Sequence, residues 1–288
     1  FVLSNGHASM LLYSMLYLTG VKAVNPKYER LNEPAVSLED IKQFRQIGSK
    51  TPGHPEYRLT SGIETTTGPL GQGVGNSVGM AIAGMWLATT YNRPGFDVFD
   101  YNVYAICGDG DMMEGVASEA ASLAGHLKLP NLCWIYDANH ITLDGPASDS
   151  FSEDVRLRFE GYGWHVLHVP DANDLEALGK AYKSFLELKD KPTLIIVNSH
   201  IGYGSPHKQD SNAAHGEALG EDEVKLTKKF YGWPEDAKFL VPDGVLEHFQ
   251  EGIGKRGRSL HEKWSALFGE YSSKFPELAD QINRMQKR

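Results

Sequence analysis

Two apolar runs, separated by about one helix's length of chain, constrain this sequence more than any other feature. Tyr101-Asn-Val-Tyr-Ala-Ile-Cys-Gly-Asp-Gly110 and Leu132-Cys-Trp-Ile-Tyr-Asp-Ala-Asn-His-Ile141 are rich in β-branched and aromatic residues, and each stops abruptly in small or polar ones. Between them, Glu114 to Lys128 is rich in Ala, Glu, Ser and Leu and reads as one helix. Strand, helix, strand within about forty residues is a βαβ unit with parallel strands and a right-handed crossover. Runs this continuously apolar are buried on both faces. Asp109 and Asn139 then fall just past the carboxyl ends of two parallel strands, where open α/β sheets hold their ligands.

The chemistry of that pair follows from its atoms. Asp109 offers a carboxylate and Asn139 an amide carbonyl, both hard oxygen donors suited to Mg²⁺ or Ca²⁺. Gly108 and Gly110 allow a sharp turn and a close ligand approach. A diphosphate alongside, with a backbone carbonyl and a water, would complete an octahedral Mg²⁺ shell. A Gly-Asp-Gly on its own is more often just a tight turn after a strand. An EF-hand is excluded, because the fifth, sixth and twelfth positions from Asp109 are Met113, Glu114 and Ala120.

The βαβ rhythm continues beyond this unit. Trp164 to Val169 reads as a third strand, Asp174 to Leu188 as an amphipathic helix and Thr193 to Asn198 as a fourth strand, with a short helix over Asp154 to Tyr162. The repetition predicts an α/β fold, a doubly wound, mostly parallel sheet flanked by helices. Upstream, residues 7–20 read as a buried helix ended by Gly20, with His7 near its N-terminus, where an imidazole and open N–H groups suit an anion. Residues 21–38 read as a surface loop, and Leu38 to Gly48 as a short helix capped by Ser37. His54 sits in a rigid Gly-His-Pro turn, and Gly68-Pro-Leu-Gly-Gln-Gly73 opens a further helix. That loop is neither a Walker loop nor a dinucleotide fingerprint. Ile201 to Gly220 is a long loop with His207 and His215, and from Glu221 a helical tail runs to the basic Arg284-Met-Gln-Lys-Arg288.

No composition break or internal repeat divides the 288 residues, so one domain over 1–288, with residues 221–288 as its helical tail, is the expected organisation. With 28 basic against 37 acidic residues, a nucleic-acid-coating or membrane-surface role is not expected. An anionic ligand then needs help from a metal, from histidines or from helix N-termini. Cys107 and Cys133 both lie in the apolar runs and read as reduced core residues, and no apolar run reaches spanning length; the expected location is cytoplasmic.

Gly108-Asp-Gly110, with Asn139 thirty residues after Asp109, resembles the thiamine diphosphate motif. Around it stand Ser4-Asn-Gly-His7, Thr51-Pro-Gly-His-Pro-Glu56, Thr65-Thr-Thr-Gly-Pro-Leu-Gly-Gln-Gly73, Ile201-Gly-Tyr-Gly204 and His215-Gly216, in the order in which transketolases carry them. The whole chain resembles the amino-terminal, diphosphate-binding domain of a transketolase. The resemblance implies a thiamine-diphosphate-binding fold and transfer of a two-carbon ketol unit from a ketose phosphate to an aldose phosphate. It implies Mg²⁺, for which Ca²⁺ can substitute, held by Asp109, Asn139 and the main-chain carbonyl of Ile141. It places His7, Gly68, Pro69, Leu70, Gly110, Asn139 and His215 on the cofactor, and His54 and His215 on the substrate as catalytic residues. Glu114 and Glu119 match glutamates at a subunit interface, and the expected partners are sugar phosphates, a pyrimidine-binding domain and a second copy in a homodimer. It further implies a helical segment upstream and two more domains downstream, neither of them in this sequence, so the chain alone is expected to be inactive. Two departures are visible: Asp111 replaces a residue usually uncharged, adding charge beside the metal loop, and Ala138 stands where a second acidic residue often precedes the Asn. Dihydroxyacetone synthase is a near alternative, and deoxyxylulose-phosphate synthase or a pyruvate dehydrogenase first component a more distant one. A non-catalytic cofactor-binding module is the alternative from another class.

Overall fold

The computed structural model describes residues 1–286. Its strands are β1 (Val2–Leu3), β2 (Lys22–Val24), β3 (Arg30–Pro34), β4 (Val103–Gly108), β5 (Leu132–Ala138), β6 (His165–Val169) and β7 (Thr193–Asn198). Five of them form one parallel sheet in the order β1-β4-β5-β7-β6. The helices are α1 (Met10–Leu18), α2 (Leu38–Lys42), α3 (Gln72–Tyr91), α4 (Asp109–Met113), α5 (Gly115–His126), α6 (Val155–Gly161), α7 (Leu175–Glu187), α8 (Glu221–Phe230), α9 (Val245–Phe249), α10 (Lys255–Lys274) and α11 (Pro276–Gln286). The chain separates into two compact units. The first comprises Phe1–Ser9, Glu64–Ala81 and Asn102–Leu240; the second comprises Met10–Ile63, Ile82–Tyr101 and the described residues from Val241.

In the first unit, β5 shows why the sheet is covered on both faces. Cys133 and Ile135 pack with Phe185 and Ala181 of α7, while Trp134 on the opposite face meets Phe159 of α6 at 5.7 Å between ring centroids. The Trp134 indole N–H donates to Ser77 Oγ at 2.8 Å, which satisfies its one buried polar atom. Both cysteines are fully buried and unoxidised, as their strands lead one to expect. The doubly wound parallel sheet is thus the fold read from the sequence. Pairing of Gly108 with Asp137 and of Ala138 with Asn198 brings the carboxyl ends of β4, β5 and β7 level, and this makes the shelf on which the site is built.

Several local expectations need correction. Residues 21–38 are not a plain loop: β2 and β3 pair antiparallel, and Asn25 Oδ1 closes the turn by accepting from the N–H groups of Lys27 and Glu29, each at 2.9 Å. Arg30 to Pro34 is almost wholly exposed and lacks the apolar alternation that marks a strand in sequence. Helix α2 has the expected Ser37 cap, in a capping box with Asp40, but ends at Lys42 rather than Gly48. There Thr51 Oγ1 takes the Asp40 carbonyl at 2.6 Å, and Arg45 turns to φ +61°. In the stretch read as a buried helix over residues 7–20, α1 covers Met10–Leu18 and buries only Tyr13 fully. The helix expected from Glu114 already begins at Asp109 and breaks at Glu114, whose extended ψ of 135° separates α4 from α5. The tail is helical from Glu221 as expected, and Tyr271 anchors α10 by donating from its hydroxyl to the Tyr91 carbonyl at 2.7 Å. Of the basic stretch ending the chain, Arg284 lies in α11, whereas Lys287 and Arg288 lie outside the described residues.

Candidate active site

The end of β4 is held by one carboxylate. Asp111 is 0 % exposed, and its Oδ1 accepts from Ser4 Oγ at 2.6 Å and from the Gly71 N–H at 2.7 Å, while Oδ2 accepts from the Gly108 N–H at 2.9 Å. Ser4 Oγ in turn accepts from the Val74 N–H at 3.1 Å. One side chain therefore ties the start of the chain, the glycine-rich loop and the Gly-Asp-Gly turn together. The charge expected beside the metal loop is engaged by three donors that the sequence did not reveal. Close approach explains two glycines here. A Cβ at Gly73 would lie 2.5 Å from Ser4 Cα, and one at Gly71, at φ +79°, would lie 2.7 Å from Glu114 Cβ.

Asp109 is 3 % exposed. Its Oδ1 accepts from the Tyr136 hydroxyl at 2.7 Å and its Oδ2 from the His140 N–H at 3.0 Å. Burial raises its carboxyl pKa, and these two hydrogen bonds oppose the rise. His140 presents that N–H from a left-handed backbone, φ +61°. Asn139 folds back so that its Oδ1 accepts from the Ile141 N–H at 3.0 Å, and its amide donates to Asp137 Oδ2 at 3.3 Å. Asp137 Oδ1 accepts from the hydroxyl of Ser199, the residue just after β7, so that strand's end also supports the Asn139 amide.

A cleft of about 270 Å³ opens over these groups. Asp109, Gly110, Glu114, Asn139 and Ile141 reach it from the β4 and β5 ends, Leu70 from the glycine-rich loop, His7 from the chain start and His215 from the long loop. The rings of His7 and His215 stack there, 4.8 Å apart and inclined by 24°. Burial lowers the pKa of His215, favouring the neutral imidazole, and its buried Nδ1 has no partner among the described residues. The same is true of Asn5 Oδ1 on the cleft wall. Gly68 and Pro69 do not line the cleft; Gly68 packs against Gly6, where a Cβ would come within 3.2 Å of its nitrogen. Glu119 is exposed on α5 and also lies off the cleft. His54 belongs to the second unit and is exposed, with the Tyr13 hydroxyl 3.5 Å from its carbonyl oxygen.

Sequence reading passed over Asn5, Asp137, Thr142, Leu143, Asp144 and Ser150, all of which line the cleft. Asn5 lies inside the Ser4-Asn-Gly-His7 motif and Asp137 two residues before Asn139, so both could have been found from the motifs; nothing in the sequence marks Ser150. No lysine or arginine stands among the described residues that line the cleft, whereas Asp109, Asp111, Glu114, Asp137 and Asp144 all do. An oxygen-rich donor set at the strand ends, together with orphaned polar atoms on Asn5 and His215, fits a divalent cation with an anionic ligand beside it. On the other side of Asp109 lies a second cavity of about 530 Å³, lined by Tyr136, His140, His168 and Asn198 among others.

Known proteins resemble the chain over its full length. The family described as transketolase, thiamine diphosphate binding domain, matches residues 1–288. The transketolase of Bacillus subtilis is 50 % identical over 282 residues, 98 % of this chain and 40 % of the relative. Transketolase 1 of Saccharomyces cerevisiae is 53 % identical over 285 residues, 99 % of this chain and 40 % of its own length. Among solved structures, transketolase from Leishmania mexicana superposes with a TM-score of 0.89 at 41 % identity, covering 98 % of this chain and 40 % of that one. Pichia stipitis transketolase in complex with sedoheptulose-7-phosphate gives 0.91 at 43 % identity, covering 99 % and 40 %. The chain thus spans about two-fifths of the length of the relatives it matches, and it belongs to the transketolase thiamine diphosphate-binding domain family.

Proposed function

We propose that this chain forms the diphosphate-binding part of a transketolase, which transfers a two-carbon ketol unit from a ketose phosphate to an aldose phosphate. The observation that carries this reading is the meeting of Asp109, Asn139 and Ile141 with His7 and His215 around one cleft at the carboxyl ends of the strands. When bound, thiamine diphosphate supplies the carbon acid that takes up and releases the two-carbon unit. The protein's own groups do the rest. Asp109, Asn139 and the Ile141 carbonyl hold Mg²⁺, or Ca²⁺ in its place, and so neutralise the diphosphate in a cleft otherwise lined by carboxylates. His7 and Gly110 meet the diphosphate side, with Leu70 the residue of the glycine-rich loop that reaches the cofactor and Gly68 and Pro69 shaping that loop behind it. His215, whose pKa burial lowers, has a buried nitrogen with which to accept or relay a proton at the substrate oxygen. His54, carried by the second unit, is the other histidine this reading assigns to substrate. Glu114 and Glu119, both exposed, serve a subunit interface, and turnover needs a pyrimidine-binding domain together with a second copy.

The test is thermal unfolding of the purified chain with thiamine diphosphate and Mg²⁺. At a ligand level of ~100 dissociation constants, binding stabilises the fold by roughly 2.7 kcal/mol. For a chain of this size, that shifts the melting temperature by about 5–10 °C. Asp109→Asn keeps the side-chain shape and should abolish the Mg²⁺-dependent part of the shift. A full Mg²⁺-dependent shift in that variant would refute the assignment.

A further inference from the structure

Tyr136 has no role in the reading above. Side-chain alternation along β5 turns it away from the cleft: Asp137, its neighbour, lines the cleft, whereas Tyr136 lines the second cavity. Asp109 borders both spaces, so it forms a partition between them. The Tyr136 hydroxyl therefore reaches Asp109 from behind, at 2.7 Å from Oδ1, while the His140 N–H holds Oδ2 at 3.0 Å. With each oxygen held by its own donor, the carboxylate plane cannot rotate without breaking a buried hydrogen bond. Tyr136 is itself 4 % exposed, so its ring is fixed by packing as well as by that bond.

We propose that Tyr136 is a positioning residue, which fixes the carboxylate of Asp109 from the second cavity so that its remaining lone pairs are set for a divalent cation in the cleft. The proposal rests on the reading that Asp109 is a cation ligand. Partners in this outer position hold a ligand's orientation, and their removal typically lowers metal affinity 10–100-fold. Without the hydroxyl, Oδ1 loses its anchor and the carboxylate can swing toward the 530 Å³ space behind it.

The experiment is a Mn²⁺ titration of the purified chain at saturating thiamine diphosphate, reading free Mn²⁺ by electron paramagnetic resonance. The proteins are wild type, Tyr136→Phe, Asp109→Asn and the double variant, each checked for native circular dichroism. Tyr136→Phe removes one oxygen and keeps the ring in its packing. Its Mn²⁺ dissociation constant should rise 10–100-fold with the stoichiometry unchanged, and at saturating Mn²⁺ its thiamine diphosphate affinity should return to the wild-type value. In the double variant the Tyr136 change should add less than threefold to the effect of Asp109→Asn, because the group it positions is already gone. If Tyr136→Phe lowers thermal stability but binds Mn²⁺ within twofold of wild type while Asp109→Asn binds weakly, the positioning role is overturned and the ligand assignment survives. If Asp109→Asn itself binds Mn²⁺ as wild type does, the ligand assignment fails and the role of Tyr136 falls with it.

Discussion

Replacing Asp111 should unfasten the first unit from within. Its two oxygens accept from Ser4 Oγ, the Gly71 N–H and the Gly108 N–H at 2.6, 2.7 and 2.9 Å, with no solvent exposure. Hydrogen bonds to a charged group are worth about 1.5–3 kcal/mol each. Removing the buried charge recovers part of its desolvation, which leaves a net loss of about 3–5 kcal/mol for Asp111→Ala. Asp111→Asn should cost less, about 1–3 kcal/mol, because one oxygen still serves Ser4 and Gly71 while the new amide opposes the Gly108 N–H, donor against donor. At tenfold per 1.4 kcal/mol, the alanine variant should speed amide exchange by about two to three and a half orders of magnitude. The amides to follow are those of β4 and β5, read by hydrogen exchange and mass spectrometry under conditions where reclosing outpaces chemical exchange, so that the rates report the opening equilibrium. That measurement isolates the first unit, where a single melting curve would average the two. An alanine variant within about 1 kcal/mol of wild type, or an asparagine variant as damaging as alanine, would refute the three-donor account.

Two further outcomes can be checked alongside. His140 holds φ +61°, so His140→Gly should keep or slightly raise stability, whereas His140→Val should cost about 1–2 kcal/mol and weaken Mg²⁺-dependent cofactor binding by shifting the N–H that meets Asp109; equal urea midpoints for the two variants would contradict this. Glu223 accepts from the Ser205 hydroxyl, the His207 N–H and the His207 ring, and these bonds hold its carboxyl at about 2, below the ordinary 4.5. Its stabilising effect is therefore complete above pH 4.5 and is lost as the pH falls toward 2, so protection of residues 201–216 against exchange, taken relative to the intrinsic rate at each pH, should fall across that window in wild type and show no such fall in Glu223→Gln.

What could be read from the chain, and what could not, divides along sequence distance. Strands β4 and β5 were legible because each is an unbroken apolar run of strand length, and the level ends of those strands put Asp109 and Asn139 on one shelf without further information. Helix α7 was legible from its apolar face and Asp174, whose side chain accepts from the Ala177 N–H as an N-cap should. Strand β1 has two residues, too few for any periodicity, and becomes a strand only because Val2 and Leu3 pair with Ala105 and Ile106. The three bonds of Asp111 include partners 107 and 40 residues away, and Asp137 meets Ser199 across 62. No local pattern encodes such ties, so Asp111 looked like an added charge when it is a fastening. His54 shows the converse: its motif was plain, yet the sequence said nothing of which compact unit would carry it.

The cleft's shortage of cationic side chains has a consequence for how it fills. With five carboxylates on its wall and no lysine or arginine among the described residues there, an anionic cofactor is a poor guest unless a cation comes with it. In the reading proposed here the site behaves as a logical AND. Below saturation its occupancy follows the product of cation and cofactor concentrations, so halving both lowers occupancy about fourfold where a lysine-lined site would lose about half. On that reading, cation supply limits filling of the cleft as much as cofactor supply does.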